Sequence, residues 1–516
     1  LSGFDRYFHA PYRGVRAYVF TKVFLAMMAL DTWLLMIGHA GRYGVDGFNV
    51  AHFAWLDRIL PVPSASLYVG VLLLTGLLAL SIALGGSHPW ALFALFLLYT
   101  FSWSMSMLDS YQHHYFVSTI LLCLVFFPRL GITDVVAPPP VKAKKRARGA
   151  RGARDASDPR SAVSGEVIFL TLCALAVAGY ALVDWKEHGW LWFMACAGTL
   201  AIATWVRSRA LHGTTPQLVT GFGYNLLAAS VGVLYTFTSI AKMDAQWLAG
   251  NTIRRISSAG KVFAPLAAAA AELGIPDQRF WSLVSTSVVP LELLVALGYC
   301  VAVTQDYSRS RLPRLVGLTA FWLAMSLHVG AEAMQLEIGW FSYYMMLLAC
   351  TFLLPGSAIE TLGRLITWPA QLMAAQLAEL DAGVPGKRGA DTLISVAAVS
   401  LVLAAVAFLV DLPGASFAAG AAVTTLLSLT LHGWLRGDTA HVRRIALGTG
   451  GAAALMWGAI AFSDMRWDFY RYLGGDLSRR GQAEAAIEAY TKGERYAPKG
   501  ESRQDRIDKL RRQLGR

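Results

Sequence analysis

The sequence predicts an all-α, polytopic transmembrane helical bundle with a small helical hairpin at its C-terminus. Three observations predict it. Of 516 residues, 55% are apolar and only 15% charged, too little charge to cover a soluble chain of this length. Apolar runs of roughly 18 to 22 residues recur, the length that spans hydrocarbon. The runs are continuous rather than alternating, which excludes a transmembrane β-barrel. In order, they fall at 18–38, 66–86, 89–107, 114–131, 166–184, 188–206, 221–241, 281–303, 314–331, 338–355, 391–411, 415–432 and 446–463. That makes about thirteen spans.

Between these runs the sequence organises itself. A first helix group occupies 1–133, and its opening FDRYFHAPYRG is polar and does not read as a cleavable signal. A linker at 134–165 contains PPPVKAKKRARGARGARD and reads as a basic, disordered cytoplasmic tether, with anionic-lipid binding as the alternative. A second group runs over 166–360, a loop over 361–390, extra spans over 391–465 and a tail over 466–516. The net charge of +12 is spread over many loops. Such spreading is the signature of cytoplasmic loops rather than of nucleic-acid binding. Five cysteines, at 123, 173, 196, 300 and 350, lie inside predicted spans without C-x-x-C spacing. They predict neither disulfides nor zinc, and read as small packing residues.

The basic loops 137–165, 207–209, 308–314, 386–389 and 441–444 all fall on one side by span counting, which assigns that side to the cytoplasm. Three polar clusters then share the outer rim: Asp109/Gln112/His113/His114, Lys242/Asp244 and His328/Glu332/Gln335/Glu337. Ionisable residues at span ends facing one compartment point to a site there. Lys242 is the sharpest of them. It closes a long apolar helix in YTFTSIAKMDAQWLAG, beside Asp244 and Trp247. It reads either as a snorkelling anchor or as a base, because desolvation lowers a lysine's pKa. Asp244 is placed to pair with the ammonium and Trp247 to wall it from water.

His113 and His114 open the fourth span, as helix-end polar residues or as proton-transfer groups. Adjacent histidines point to different helix faces, so they do not predict a metal site. His328 and Glu332, at i and i+4, share a face and lack a third ligand nearby. No metal is predicted. Pro290 and Glu292 place a carboxylate within an apolar span, costly unless it is paired inside the bundle. No Ser–His–Asp motif, Walker loop, di-iron histidine set or broken-helix transporter core is present.

The tail departs from the membrane pattern. Tyr470, Leu473, Gly474, Gly481, Ala486, Tyr490, Gly493 and Pro498 fit one tetratricopeptide unit, and 501–513 reads as a capping helix. One repeat buries no continuous core alone, so it predicts packing on the membrane domain or on a partner.

Three of these segments together resemble the vitamin K-dependent γ-glutamyl carboxylase family and its bacterial HTTM relatives. YTFTSIAKMDAQWLAGNTI (235–253) resembles the family's lysine motif, LDSYQHHYFVSTILL (108–122) its histidine segment and SLHVGAEAMQLEIGWFSYYMMLLACTFL (326–353) its later IG-x-F helix pair. The likeness covers roughly residues 10–360. It implies Lys242 as the base that deprotonates reduced vitamin K or menaquinol, with His113 assisting carboxylation. It further implies oxygen and carbon dioxide as co-substrates, a glutamate in a peptide or protein as acceptor, and no metal. The site would face outward from a bacterial inner membrane, among membrane lipids, with the tail recruiting the protein partner and no nucleic acid involved. The alternative is a non-enzymatic HTTM protein acting in maturation, export or assembly of a partner. The chain departs from the family in three ways. Ala241 stands where a second lysine is common, the first-helix arginine is replaced at Thr21 or Lys22, and the large β-rich substrate domain has no counterpart.

Overall fold

The computed structural model describes residues 3–39, 65–104, 112–128, 130, 218–257, 263–333, 340–363, 448, 451–452, 455–456 and 465–515. The predicted spans 166–184, 188–206, 391–411 and 415–432, the linker 134–165 and most of the loop 361–390 lie outside them.

In chain order the described elements are α1 (Gly3–Phe8), β1 (Tyr12–Arg13), α2 (Gly14–Asp31), α3 (Ala65–Leu84), α4 (Pro89–Ser104), α5 (Gln112–Val125), β2 (Leu218–Val219), α6 (Phe222–Ala241), α7 (Ala245–Leu248), α8 (Asn251–Ser257), α9 (Phe263–Glu272), α10 (Asp277–Ala302), α11 (Leu312–Ala333), α12 (Phe341–Phe352), α13 (Gly356–Gly363), α14 (Met465–Arg479), α15 (Ala483–Glu494) and α16 (Gln504–Gln513). The protein is mainly helical. Among the described residues, five helices are long and apolar enough to cross a membrane: Gly14–Met36, Leu67–Leu84, Phe222–Ala241, Asp277–Ala302 and Leu312–Glu332.

The all-α expectation holds, with one small addition: β1 and β2, two residues each, pair antiparallel, Tyr12 opposite Val219. Pro11 favours extended backbone there, having no N–H to continue a helix. The predicted span 338–355 ends where the chain turns sharply. α12 and α13 meet at 115°, because Pro355 cannot continue the helical ladder and disfavours helix at the residue before it.

The chain divides into two compact units, one of residues 1–20 and 130–372, the other of 21–129 and 373–516. In the first, α6, α10 and α11 pack closely through small residues. A Cβ on Gly232 would meet Cys300 and the Ala296 carbonyl, and one on Gly298 would collide with Ala320. Small residues let membrane helices approach where lipid offers no hydrophobic drive. One end of this unit is tied by charge. Arg16, 1% exposed, grips Asp306 through Nε (2.7 Å) and Nη2 (3.0 Å) and donates to the Thr351 carbonyl. Arg13 pairs with Asp306 and with Glu360. Arg16 is thus a buried arginine near the start of α2.

In the second unit, α3 and α4 form an antiparallel hairpin, and Gly76 leaves room for the Trp33 indole. Lys22 donates to the Ile82 and Gly85 carbonyls at 2.8 and 2.7 Å, satisfying free acceptors at the end of α3. The tail belongs to this unit. α14 and α15 pack closely because Gly474 lies under the Tyr490 ring and Gly493 under Tyr470 and Trp467. α16 closes a small core of Ala486, Tyr490, Ile507 and Leu510. α14 docks on α3 through a Tyr68–Tyr472 stack at 5.4 Å.

Candidate functional site

Lys242 caps the C-terminal end of α6, and its side chain turns back along the helix rather than out to solvent. Its Nζ lies 2.8 and 3.1 Å from the two carboxylate oxygens of Glu292 on α10. The lysine side chain is 22% exposed and the glutamate 10%. The partner of Lys242 is therefore Glu292, the carboxylate whose burial in an apolar span demanded a partner.

Asp244, expected to pair with Lys242, does something else. Its Oδ1 accepts from the backbone N–H groups of Gln246 and Trp247 at 2.8 and 3.0 Å, capping α7. A short side chain just past a helix end finds such free donors at once, and capping outcompetes a reach to the ammonium. Trp247 lies beside the lysine. Its ring lies 5.3 Å from the Lys242 Nζ, within cation–π range. Its indole N–H donates to the Ser285 carbonyl at 3.0 Å, and Ser282 ties Leu248 to α10 at 2.8 Å. Gly250, at φ 81°, makes this approach possible, since a Cβ there would strike the backbone of Trp281 and Ser282.

Behind the pair sits a second polar couple. The Tyr235 hydroxyl and His328 Nε2 are 2.7 Å apart, and both residues are buried. Both couples involve α6, with Tyr235 and Lys242 seven residues apart on it. α6, α10 and α11 thus bring Lys242, Glu292, Tyr235 and His328 near one another, one residue from each of two expected clusters among them. Glu332 stands one turn beyond His328, near Ser342 of α12. Tyr235 and Glu292 were absent from the sequence-derived site. Tyr235 reads as an ordinary apolar-helix aromatic, and only the cost of a carboxylate in a span signalled Glu292.

His113 and His114 belong to the other unit. His114 Nδ1 lies 2.8 Å from the Tyr99 hydroxyl, and its ring stacks on Trp103 with centroids 6.4 Å apart. His113 is half-buried at the start of α5. Asp109, Gln335 and Glu337 lie outside the described residues. Among the described residues, no three His, Cys, Asp or Glu side chains converge as metal ligands.

Chemically, Lys242 and Glu292 are a matched base and acid. Ion pair and neutral amine–acid pair differ only by the position of one proton. A quinol would need this pair and an apolar slot together. The first unit holds an apolar cavity of about 420 Å³ lined by Tyr7, Phe8, Val233, Phe237 and Cys300. Val233 and Phe237 lie roughly 140° to 180° around α6 from Lys242 at the α-helical repeat. The cavity and the ion pair are on opposite faces of the helix, so these residues do not form a joint quinol site, and no step through a quinone follows from them. Comparison with protein-family models, with curated proteins and with solved structures finds no match.

Proposed function

We propose that this chain is an integral membrane enzyme of the carboxylase-like HTTM class, with Lys242 and Glu292 as its acid–base centre. The observation that carries the reading is the direction of Lys242. A snorkelling anchor sends its ammonium to the interface; this one sends it inward onto a buried carboxylate, 2.8 Å away. In this reading the polypeptide crosses a bacterial inner membrane about thirteen times. The centre faces the extracytoplasmic side and His113 assists. The tail is a tetratricopeptide-like unit that recruits a peptide or protein. By resemblance the reaction class is glutamate carboxylation driven by a reduced vitamin K-type quinone, with oxygen and carbon dioxide consumed.

One observation favours a second reading. The carboxylate of Glu292 accounts for the lysine without any substrate, which suits a non-enzymatic membrane protein in maturation, export or assembly of a partner. Purified protein given reduced menaquinone or vitamin K, oxygen, labelled bicarbonate and a glutamate-containing peptide separates the two. The enzyme reading predicts quinone epoxide and labelled peptide from wild type and neither from Lys242→Ala. Epoxide without label keeps the oxygenase half and rejects carboxylation. Wild type that forms neither product leaves the non-enzymatic reading.

A further inference from the structure

The apolar cavity of the first unit lies on the face of α6 turned away from Lys242, and the acid–base centre leaves it unused. Ala229 and Gly232 make it deep, since neither carries bulk, and Gly232 faces the Cys300 thiol of α10. Thr236 also lines it, but its hydroxyl is spent on the Gly232 carbonyl at 2.8 Å. Tyr7 and Phe8 of α1 form one end. That end is fixed by Asn225, fully buried, whose Nδ2 donates to the Phe8 and Ala10 carbonyls, both at 3.0 Å. Phe8 and His9 meet Phe222 at 5.4 and 6.1 Å, so α1 sits at the N-terminal end of α6.

Size and surroundings decide what fits. α6 and α10 are both long and apolar enough to cross a membrane, and Val233 and Phe237 beside the cavity are 55% and 67% exposed. The cavity therefore opens sideways, toward hydrocarbon. Its lining on α6 runs from Ala229 to Phe237, about 12 Å at the helical rise; 420 Å³ spread over that length gives a cross-section of about 35 Å². A helix, about 10 Å across, needs roughly 80 Å². A single hydrocarbon chain fits and a helix does not. The α1 end is basic. Arg6 is exposed next to Tyr7, and Arg309 and Arg311 are exposed just past α10. The Arg13 N–H donates to Asp306 at 3.0 Å, which keeps that stretch beside the start of the chain. Of the neighbouring carboxylates, Asp306 and Glu360 are already paired with Arg13 and Arg16, and Asp5 stands against the exposed arginines. An acyl chain gains no hydrophobic energy on leaving the bilayer for such a slot, because lipid is as apolar as the lining. Retention there depends on the headgroup.

We propose that the cavity seats one anionic phospholipid, with a single acyl chain lying along α6 from Phe8 to Phe237 and the phosphate held at Arg6. Arginine suits that role because its planar fork meets two phosphate oxygens at once. The binding is non-covalent. It requires a bilayer around α6 and α10 but no quinone, so the proposal stands apart from the carboxylase reading.

The test uses the full chain in detergent with phosphatidylglycerol that carries a diazirine on one acyl chain. After illumination, adducts are mapped by peptide mass spectrometry. They concentrate on Val233, Phe237 and Cys300, and unlabelled phosphatidylglycerol displaces them at a several-fold lower concentration than phosphatidylcholine does. Ala229→Trp fills the slot and removes these adducts, whereas Leu97→Trp, at an exposed site in the other unit, leaves them. Arg6→Gln, an exposed change, keeps the adducts but abolishes the preference for the anionic lipid. Monodispersity and helical circular dichroism of each variant confirm the fold. Adducts spread evenly over exposed apolar residues such as Leu97 and Trp322 mark annular lipid and overturn the proposal. Equal competition by the two phospholipids overturns it as well. So does competition by menaquinone alone, which would give the slot to a prenyl chain.

Discussion

Two charged residues in apolar surroundings set the chemistry of the first unit, and each answers the same cost in its own way. Taking a carboxylate out of water is expensive unless a cation meets it with good geometry. Glu292 meets one lysine; Asp306 meets two arginines, one of them bidentate. Burial alone would raise the Asp306 carboxyl, but the Arg16 guanidinium beside it prevails and holds it below the ordinary 3.8, with Arg13 adding to the effect. The sign of the linkage follows. A carboxyl with a depressed folded-state pKa contributes stability that is complete above its unfolded value and is lost as pH falls through the folded one. Thermal melts of the detergent-solubilised protein should therefore lose stability below about pH 4, the unfolded carboxylate range. Asp306→Asn should lower the melting point at neutral pH, by an amount corresponding to roughly 3 kcal/mol for an arginine left buried and unpaired. It should also flatten the acid limb. An acid limb as steep in Asp306→Asn as in wild type would show that other groups govern it.

At the scale of elements, α6 and α10 position the site, and the turn between α6 and α8 locks it. Gly250 is the hinge of that turn. Ala there must adopt left-handed backbone, at a cost of about 1–2 kcal/mol, and must also displace the backbone of α10. Gly250→Ala should lower the melting point by an amount corresponding to that cost; an unchanged melting point would show that the turn does not need left-handed backbone there. These elements also show what the sequence made legible. Long apolar runs such as Phe222–Ala241 were readable because hydrocarbon thickness sets their length. Lys242 stood out in the sequence because a charge at a span end contrasts with its apolar neighbours. Its partner did not, since Glu292 lies 50 residues away, and no local pattern tells which face of α10 meets α6. Asp244 was nearer in sequence and so looked the natural partner, until free backbone donors claimed it. The predicted end of the span at 355 coincides with Pro355, where α12 gives way to α13.

At the scale of the whole molecule, the second unit constrains where the tail emerges. Gly448 and Gly451 pack on Ser81, Leu84 and Gly85, at the C-terminal end of α3. Arg471 donates to the Gly38 carbonyl, and Tyr472 stacks on Tyr68 at the other end of the same helix. Residues 448 and 451 thus contact one end of α3, and residues 471 and 472 lie at its other end. A reporter fused after the tail and a cysteine introduced in the segment 40–64 should thus report the same compartment, opposite to one placed at 86–88. Different compartments for the first two would contradict the packing of α14 on α3. The central claim is that Lys242 is present for its chemistry and not only for its charge. The most direct test is to exchange the pair, Lys242→Glu with Glu292→Lys, and to measure quinol epoxidation beside thermal stability. The swapped protein keeps a complementary ion pair and should melt near wild type, while its turnover falls to the level of Lys242→Ala. Turnover retained in a swapped protein of wild-type stability would contradict the account, and the pair would then be an electrostatic tie and no more.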